Sequence, residues 1–117
     1  MHELGVVQHL VTMAEEYAKE EGKKVSYLLV EIGEMTGIVP KYVKSYYPDC
    51  VEGTLLEGSD IKIEEAQALA FCRKCGTTFN PGKTKDKCPS CHVHNYEIVD
   101  GRQFLLKQIA FIDDGGD

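Results

Sequence analysis

No apolar run in this 117-residue chain is long enough to span a bilayer, and no basic-then-apolar leader opens it. The first absence excludes a membrane-spanning helix, and the second removes any sign of export. There is no glycine-rich phosphate loop and no Ser/His/Asp set recognisable by motif, so any nucleotide-driven step must come from a partner. Repeats and low-complexity tracts are missing as well. A formal charge of −6 disfavours nucleic acid as a partner of the whole chain.

What the chain does have is Cys72-Arg-Lys-Cys75 and Cys88-Pro-Ser-Cys91, separated by twelve residues. Two Cys-x-x-Cys pairs can give four thiolates to one tetrahedral cation, and Gly76 and Pro89 suit the tight turns this requires. Two disulfides would need an oxidising compartment, and a redox Cys-x-x-Cys would not need its double. The spacing therefore reads as structural zinc at Cys72, Cys75, Cys88 and Cys91, in a reduced, cytoplasmic setting. Four thiolates leave zinc no open position, so the site serves folding rather than catalysis and argues against a metal-dependent hydrolase. Residues 71–94 hold Arg73, Lys74, Lys83, Lys85 and Lys87 against Asp86 alone. Zinc with four thiolates carries two negative charges, and much of that basic excess balances it. A nucleic-acid face on Lys83 to Lys87 is the rival reading, the chain then being a zinc-ribbon interaction module for nucleic acid or a protein complex.

The rest of the chain reads as an α+β domain. Leu4, Val7, Leu10, Val11, Ala14 and Ala18 form a stripe of helical period over residues 3–20, with Gly22 as its stop. His9 falls on the polar side as a solvated histidine. Val25 to Ile32 is apolar on both faces, which predicts a central, covered strand. Pro40 opens a second helix with Val39, Val43, Tyr46, Tyr47, Cys50 and Val51 on one stripe, and Pro48 should kink or end it. Cys50 reads as a small core hydrophobe. Ile61 to Ala70 alternates as a second strand with a bulge at Glu64-Glu65, and Phe104 to Ile112 is the third. The expected fold is two helices on a three-stranded mixed sheet, with a small zinc-ribbon-like lobe, residues 71–94, inserted between strands two and three of a domain made of 1–70 plus 95–117.

At the other end, the α-amine of Met1, the amide nitrogen of His2 and its imidazole Nδ1 can close a five-membered and a six-membered chelate ring. Such a planar, nitrogen-rich set suits Ni(II) or Cu(II) better than zinc. A helix N-terminus repels a cation. Loss of the amide proton, from a donor without an intrahelical partner, and the nearby Glu3 carboxylate offset that repulsion. From the residues alone two readings stay open, a chelate site and an incidental solvated His2.

Taken together, Met1-His2-Glu3, Glu31-Ile-Gly-Glu34, Glu52-Gly-Thr-Leu-Leu-Glu-Gly58, Ile61-Lys-Ile-Glu-Glu, Phe71-Cys-Arg-Lys-Cys-Gly76 and Cys88-Pro-Ser-Cys91 make the chain resemble the hydrogenase maturation nickel metallochaperones of the HypA/HybF family. The resemblance implies a cytoplasmic carrier with no catalytic turnover, monomeric or homodimeric. It implies nickel at His2, with the Met1 amine and backbone nitrogens assisting and Glu3 in support, and zinc at the four cysteines. Residues 1–70 plus 95–117 would then be the nickel-binding domain. The implied partners are the GTPase HypB, the [NiFe]-hydrogenase large subunit and, for some relatives, urease maturation proteins. Where some members carry an acidic nickel ligand after the first strand, this chain reads Ile38-Val39-Pro40. His92 and His94, beside the second cysteine pair, read as surface residues; the sharper reading lets one of them exchange with a thiolate.

Overall fold

The computed structural model describes residues 3–112, so the Met1 and His2 part of the chelate reading lies outside the described residues. The elements in order are α1 (Glu3–Glu21), β1 (Val25–Gly33), a single 3₁₀ turn (Glu34–Thr36), α2 (Pro40–Cys50), β2 (Asp60–Ala66), β3 (Leu69–Cys72), β4 (Thr78–Phe79), β5 (Tyr96–Asp100) and β6 (Phe104–Phe111). They form two three-stranded sheets, ordered β2-β1-β6 and β4-β3-β5. The chain divides into two compact units, one of residues 3–31, 38–64 and 105–112, the other of Ile32–Gly37 and Glu65–Phe104.

In the first unit α1 buries Val7, Leu10, Val11, Ala14 and Ala18 as its periodicity predicts. Leu4 does not join them; it is 42% exposed, while Glu3 is buried at 2%. The reason is a bond invisible in the local pattern. The Glu3 carboxylate accepts the Val39 backbone N–H at 2.9 Å. Val39 is the N-cap of α2 and has no capping side chain of its own. A carboxylate from α1 therefore caps the positive end of a second helix. At the other end of α1, Gly22 adopts φ 66°, and its N–H and that of Lys23 return to the carbonyls of Lys19 and Ala18. This double closure satisfies two carbonyls that helix geometry leaves without partners.

α2 buries Val43 and Tyr47, leaves Cys50 half-buried and exposes Val39 and Tyr46. Pro48 does not stop it: the helix runs to Cys50, and the Val51 N–H closes on Tyr47 O. A proline this late forfeits one N–H and little else, because the helix ends two residues on.

β1 is central, as expected. Its Leu28, Val30 and Ile32 are fully buried, whereas Tyr27, Leu29 and Glu31 on the opposite face are half-buried. That second face is lined with charge: the Lys62 ammonium sits 3.9 Å over the Tyr27 ring, and Lys107 bridges Glu31 and Glu64. Gly33 N–H bonds Gln103 O and Ile112 N–H bonds Lys24 O, so β1 and β6 run antiparallel. The sheet is mixed, which leaves β1–β2 as its parallel pair, joined by the long connection through α2 that parallel neighbours need.

The bulged strand expected over Ile61 to Ala70 is two strands. β2 ends at Ala66, and β3 begins at Leu69 in the other sheet. An N–H at the junction is held by a carboxylate, Ala68 N–H donating to Glu34 Oε1 at 2.7 Å, with the Asn80 amide on the same oxygen at 3.1 Å. The cysteine lobe is accordingly larger than residues 71–94. β5, which the sequence reading left without an element, pairs antiparallel with β3, so both flanks of the cysteine segment belong to the lobe's own sheet.

Two glycines fix where β1 ends. A Cβ on Gly33 would fall inside the Gly101 carbonyl, and Gly101 at φ +108° would place its own Cβ 2.7 Å from Ala68 Cα. Backbone cannot yield to a methyl group as a flexible side chain does. Gly33→Ala should therefore cost roughly 2–3 kcal/mol, read from the urea midpoint; an unchanged midpoint would mean that the two backbones do not meet as described.

Candidate metal centre

The second unit is built around its cysteines. β3 alternates Leu69 and Phe71 outward with Ala70 and Cys72 inward, which puts the first sulfur on the buried face at the strand's end. The chain turns at once. Gly76 N–H bonds Cys72 O at 2.9 Å, Cys72 N–H bonds Thr77 O at 2.9 Å, and β4 then pairs back on β3 with Phe71 opposite Thr78. The second pair repeats this pattern: His92 N–H bonds Cys88 O at 2.9 Å and Cys88 N–H bonds Val93 O at 3.2 Å. In each turn the residue four after the leading cysteine is left-handed, Gly76 at φ 80° and His92 at φ 62°. The sequence marked the first turn with glycine and gave no such signal for the second, where histidine takes up the strain.

The two turns bring all four sulfurs together, within 4.8 Å of one another. Cys75 and Cys88 are 3.5 Å apart and Cys72 and Cys91 3.6 Å. Tetrahedral Zn–S bonds of about 2.3 Å place sulfurs about 3.8 Å apart, so the cluster already has the size of a zinc site. Behind it lies a small apolar cluster of Ala70, Cys72, Phe79 and Cys88, with Tyr96 and Ile98 against it and Phe79 edge-on to Tyr96 at 5.4 Å.

The thiols are electrostatically in conflict. The Cys75 and Lys74 backbone N–H groups hold Cys72 below the usual thiol range despite burial. The Thr77 hydroxyl and then its N–H do the same for Cys75. Cys91, although it has the Val93 N–H, is pushed up to about 11 by burial and by its three sulfur neighbours. Such a set favours ionisation at some members and makes the last ionisation costly. A divalent cation among them removes that conflict.

Of the residues singled out from sequence, Cys72, Cys75, Cys88 and Cys91 are thus assembled into one centre. Glu3 lies in the first unit, its carboxylate turned inward to Val39. His9 is exposed. His92 and His94 are exposed too, the first in its left-handed turn and the second with its ring 5.3 Å from that of Tyr96. Sequence reasoning missed Thr77, whose Oγ1 lies 3.1 Å from Cys75 Sγ, and Ser90, 3.1 Å from Thr77 Oγ1. Position two after a knuckle cysteine was the available cue. No helix among the described residues is long and apolar enough to cross a membrane.

This pairing of a helix-and-sheet unit with a four-cysteine centre on its own small sheet defines a metal-binding α+β protein. The family described as "Hydrogenase/urease nickel incorporation, metallochaperone, hypA" matches residues 1–111. The hydrogenase maturation factor HypA of Nostoc sp. strain PCC 7120 is 38% identical over 109 residues, covering 93% of this chain and 94% of the relative. That of Geobacter sulfurreducens is 32% identical over 109 residues, 93% of this chain and 97% of the relative. The solution structure of the Ni metallochaperone HypA from Helicobacter pylori superposes with a TM-score of 0.67 at 26% identity, covering 97% of this chain and 100% of the other. The chain belongs to the HypA family of nickel-incorporation metallochaperones. The interaction-module alternative is not favoured by these matches.

Two outcomes follow from the geometry. Stripping the metal with a chelator should collapse hydrogen-exchange protection across β3–β5 and leave that of α1 and β1 standing, because the small cluster alone buries little; equal loss in both units would contradict it. His92→Gly should retain the metal and raise stability by about 1 kcal/mol through relief of the left-handed turn. Metal loss in that variant would instead make His92 a ligand.

Proposed function

We propose that this chain carries Ni(II) at Met1, His2 and Glu3 as cargo and keeps Zn(II) at Cys72, Cys75, Cys88 and Cys91 as a resident structural ion. The closure of the sulfur centre carries the reading. Four cysteines at tetrahedral separations leave a bound ion no open position from which to be handed on. An ion that is delivered needs a different site, with other donors and a free coordination position. The amine, amide nitrogen and imidazole of Met1-His2 form such a set, planar and incomplete, of the kind Ni(II) accepts.

Glu3 supports this site through position. Its carboxylate is taken up at the start of α2, so the residue covalently next to His2 is fixed against a second helix, and its negative charge offsets the positive helix ends that would repel a cation. Nickel passes on when a ligand of the acceptor enters the open position. The proposed acceptor is the [NiFe]-hydrogenase large subunit, with the GTPase HypB supplying the nucleotide-driven step, and with urease maturation proteins in the urease branch of the family. The compartment is the cytoplasm, where thiols stay reduced. No catalytic turnover is assigned to any residue.

Replacing His2 with alanine in zinc-loaded protein that begins at Met1 tests this. Calorimetric titration should show tight nickel binding weakened at least about 100-fold, roughly the 2.7 kcal/mol of two decades in affinity, with zinc content and far-UV dichroism unchanged. Undiminished nickel affinity would end the N-terminal reading and leave the zinc centre standing.

A further inference from the structure

The four sulfurs are not equivalent. Cys72 and Cys88 are fully buried at 0% exposure, Cys91 is half-buried, and Cys75 is exposed. Reagents in solution therefore reach one sulfur ahead of the rest. That sulfur also carries the hydroxyl chain, with Thr77 Oγ1 at 3.1 Å from Cys75 Sγ and at 3.1 Å from Ser90 Oγ. Ser90 stands between Cys88 and Cys91 in sequence, and its own N–H is directed at Cys88 Sγ at 3.4 Å. The chain of hydroxyls thus ties the tip of the first knuckle to the second.

The direction of this chain depends on the state of the sulfur. A hydroxyl has one proton to donate. With Cys75 as a thiol, the order Cys75 to Thr77 to Ser90 satisfies every group. A metal-bound thiolate has no proton, so Thr77 must turn its own from Ser90, to which it donates in this structure, toward the sulfur, and Ser90 must rotate to donate to Thr77 in turn. The result is a charge-assisted hydrogen bond on the one exposed thiolate, reinforced by a second bond behind it.

We propose that Cys75 is the modification site of the centre, the sulfur at which electrophiles enter, and that the Thr77 and Ser90 hydroxyls are positioning residues that restrain its reactivity. The inference rests on zinc occupying the four cysteines, as set out above. A hydrogen bond to a thiolate withdraws the lone-pair density that attacks an electrophile. With iodoacetamide, a sulfur lone pair forms the S–C bond as the C–I bond breaks and iodide leaves. The product is a neutral thioether, a far weaker ligand, and the metal loses one of its four holds. The buried sulfurs become accessible only after that step.

The test uses the zinc-loaded full chain treated with limiting iodoacetamide, with zinc release followed by a chromogenic chelator and the modified cysteines mapped by mass spectrometry. Cys50 lies outside the centre and is scored separately. The expected first modification among the four is Cys75, in step with zinc release. Thr77→Val should react about tenfold faster, the rate equivalent of one hydrogen bond to a charged group. Ser90→Ala should be faster by a smaller factor, and Thr77→Ser should return to within about twofold of the parent rate. A loosened turn would also raise the rate, so a second readout separates the two causes. In the Co(II)-substituted protein, Thr77→Val should move the sulfur-to-cobalt charge-transfer band to lower energy while the tetrahedral ligand-field bands stay in place, and Thr77→Ser should restore it. First modification at Cys91, equal modification of all four, or an unmoved charge-transfer band with unchanged rates in both Thr77→Val and Ser90→Ala would overturn the proposal. Zinc-free protein at the outset would overturn the occupancy reading and this one with it; normal zinc content with any of the former results overturns this one alone.

Discussion

Four sulfurs that must share one small volume are the constraint on which the second unit depends. Ionised together they oppose one another, as Cys91, displaced to about 11, registers most plainly. Everything around them serves to hold them there: β3 delivers Cys72 to the inner face, the two matching turns aim four side chains at one point, and β5 closes the sheet on the far side. The apolar material backing them amounts to a few side chains around Phe79 and Tyr96. A unit of that size cannot offset its chain entropy by burial alone, so a cation held by the four sulfurs would be part of its folding and not an ornament added later.

The first unit is held differently. Its stability comes from the apolar stripes of α1 and α2 and the buried face of β1, and the buried carboxylate of Glu3 serves as a cap. Glu3 links the beginnings of two helices that are 36 residues apart in sequence. That link gives the first turn of α1 a defined place without requiring a metal. Metal-held and burial-held parts of the chain are thus separate in their physics, which suits a carrier whose cargo must come and go while its shape persists.

What could be read from the residues follows from how local each signal is. The cysteine pairs were legible because ligand geometry forces their spacing. The helices were legible because burial repeats every three to four positions, and β1 because Val25 to Ile32 is β-branched, aromatic and apolar on both faces. The exchange of Leu4 for Glu3 on the buried stripe was not, since its cause is a backbone N–H at Val39. Nor was the break between β2 and β3: a slipped alternation at Glu64-Glu65 looks the same whether the strand bulges or leaves for another sheet, and only the Glu34 carboxylate at Ala68 decides it. Tyr96 to Asp100 was missed because its partners lie across the cysteine segment. His92 hid its left-handed turn behind a side chain that suggested ligation.

On the proposed function, one chain keeps two metals apart by donor type, sulfur for the resident ion and nitrogen for the cargo. X-ray absorption at the zinc and nickel edges of the same doubly loaded sample tests it directly. The expected spectra show zinc surrounded by four sulfurs at about 2.3 Å and nickel by nitrogen and oxygen scatterers alone. Sulfur in the nickel shell, or fewer than four sulfurs around zinc, would contradict it.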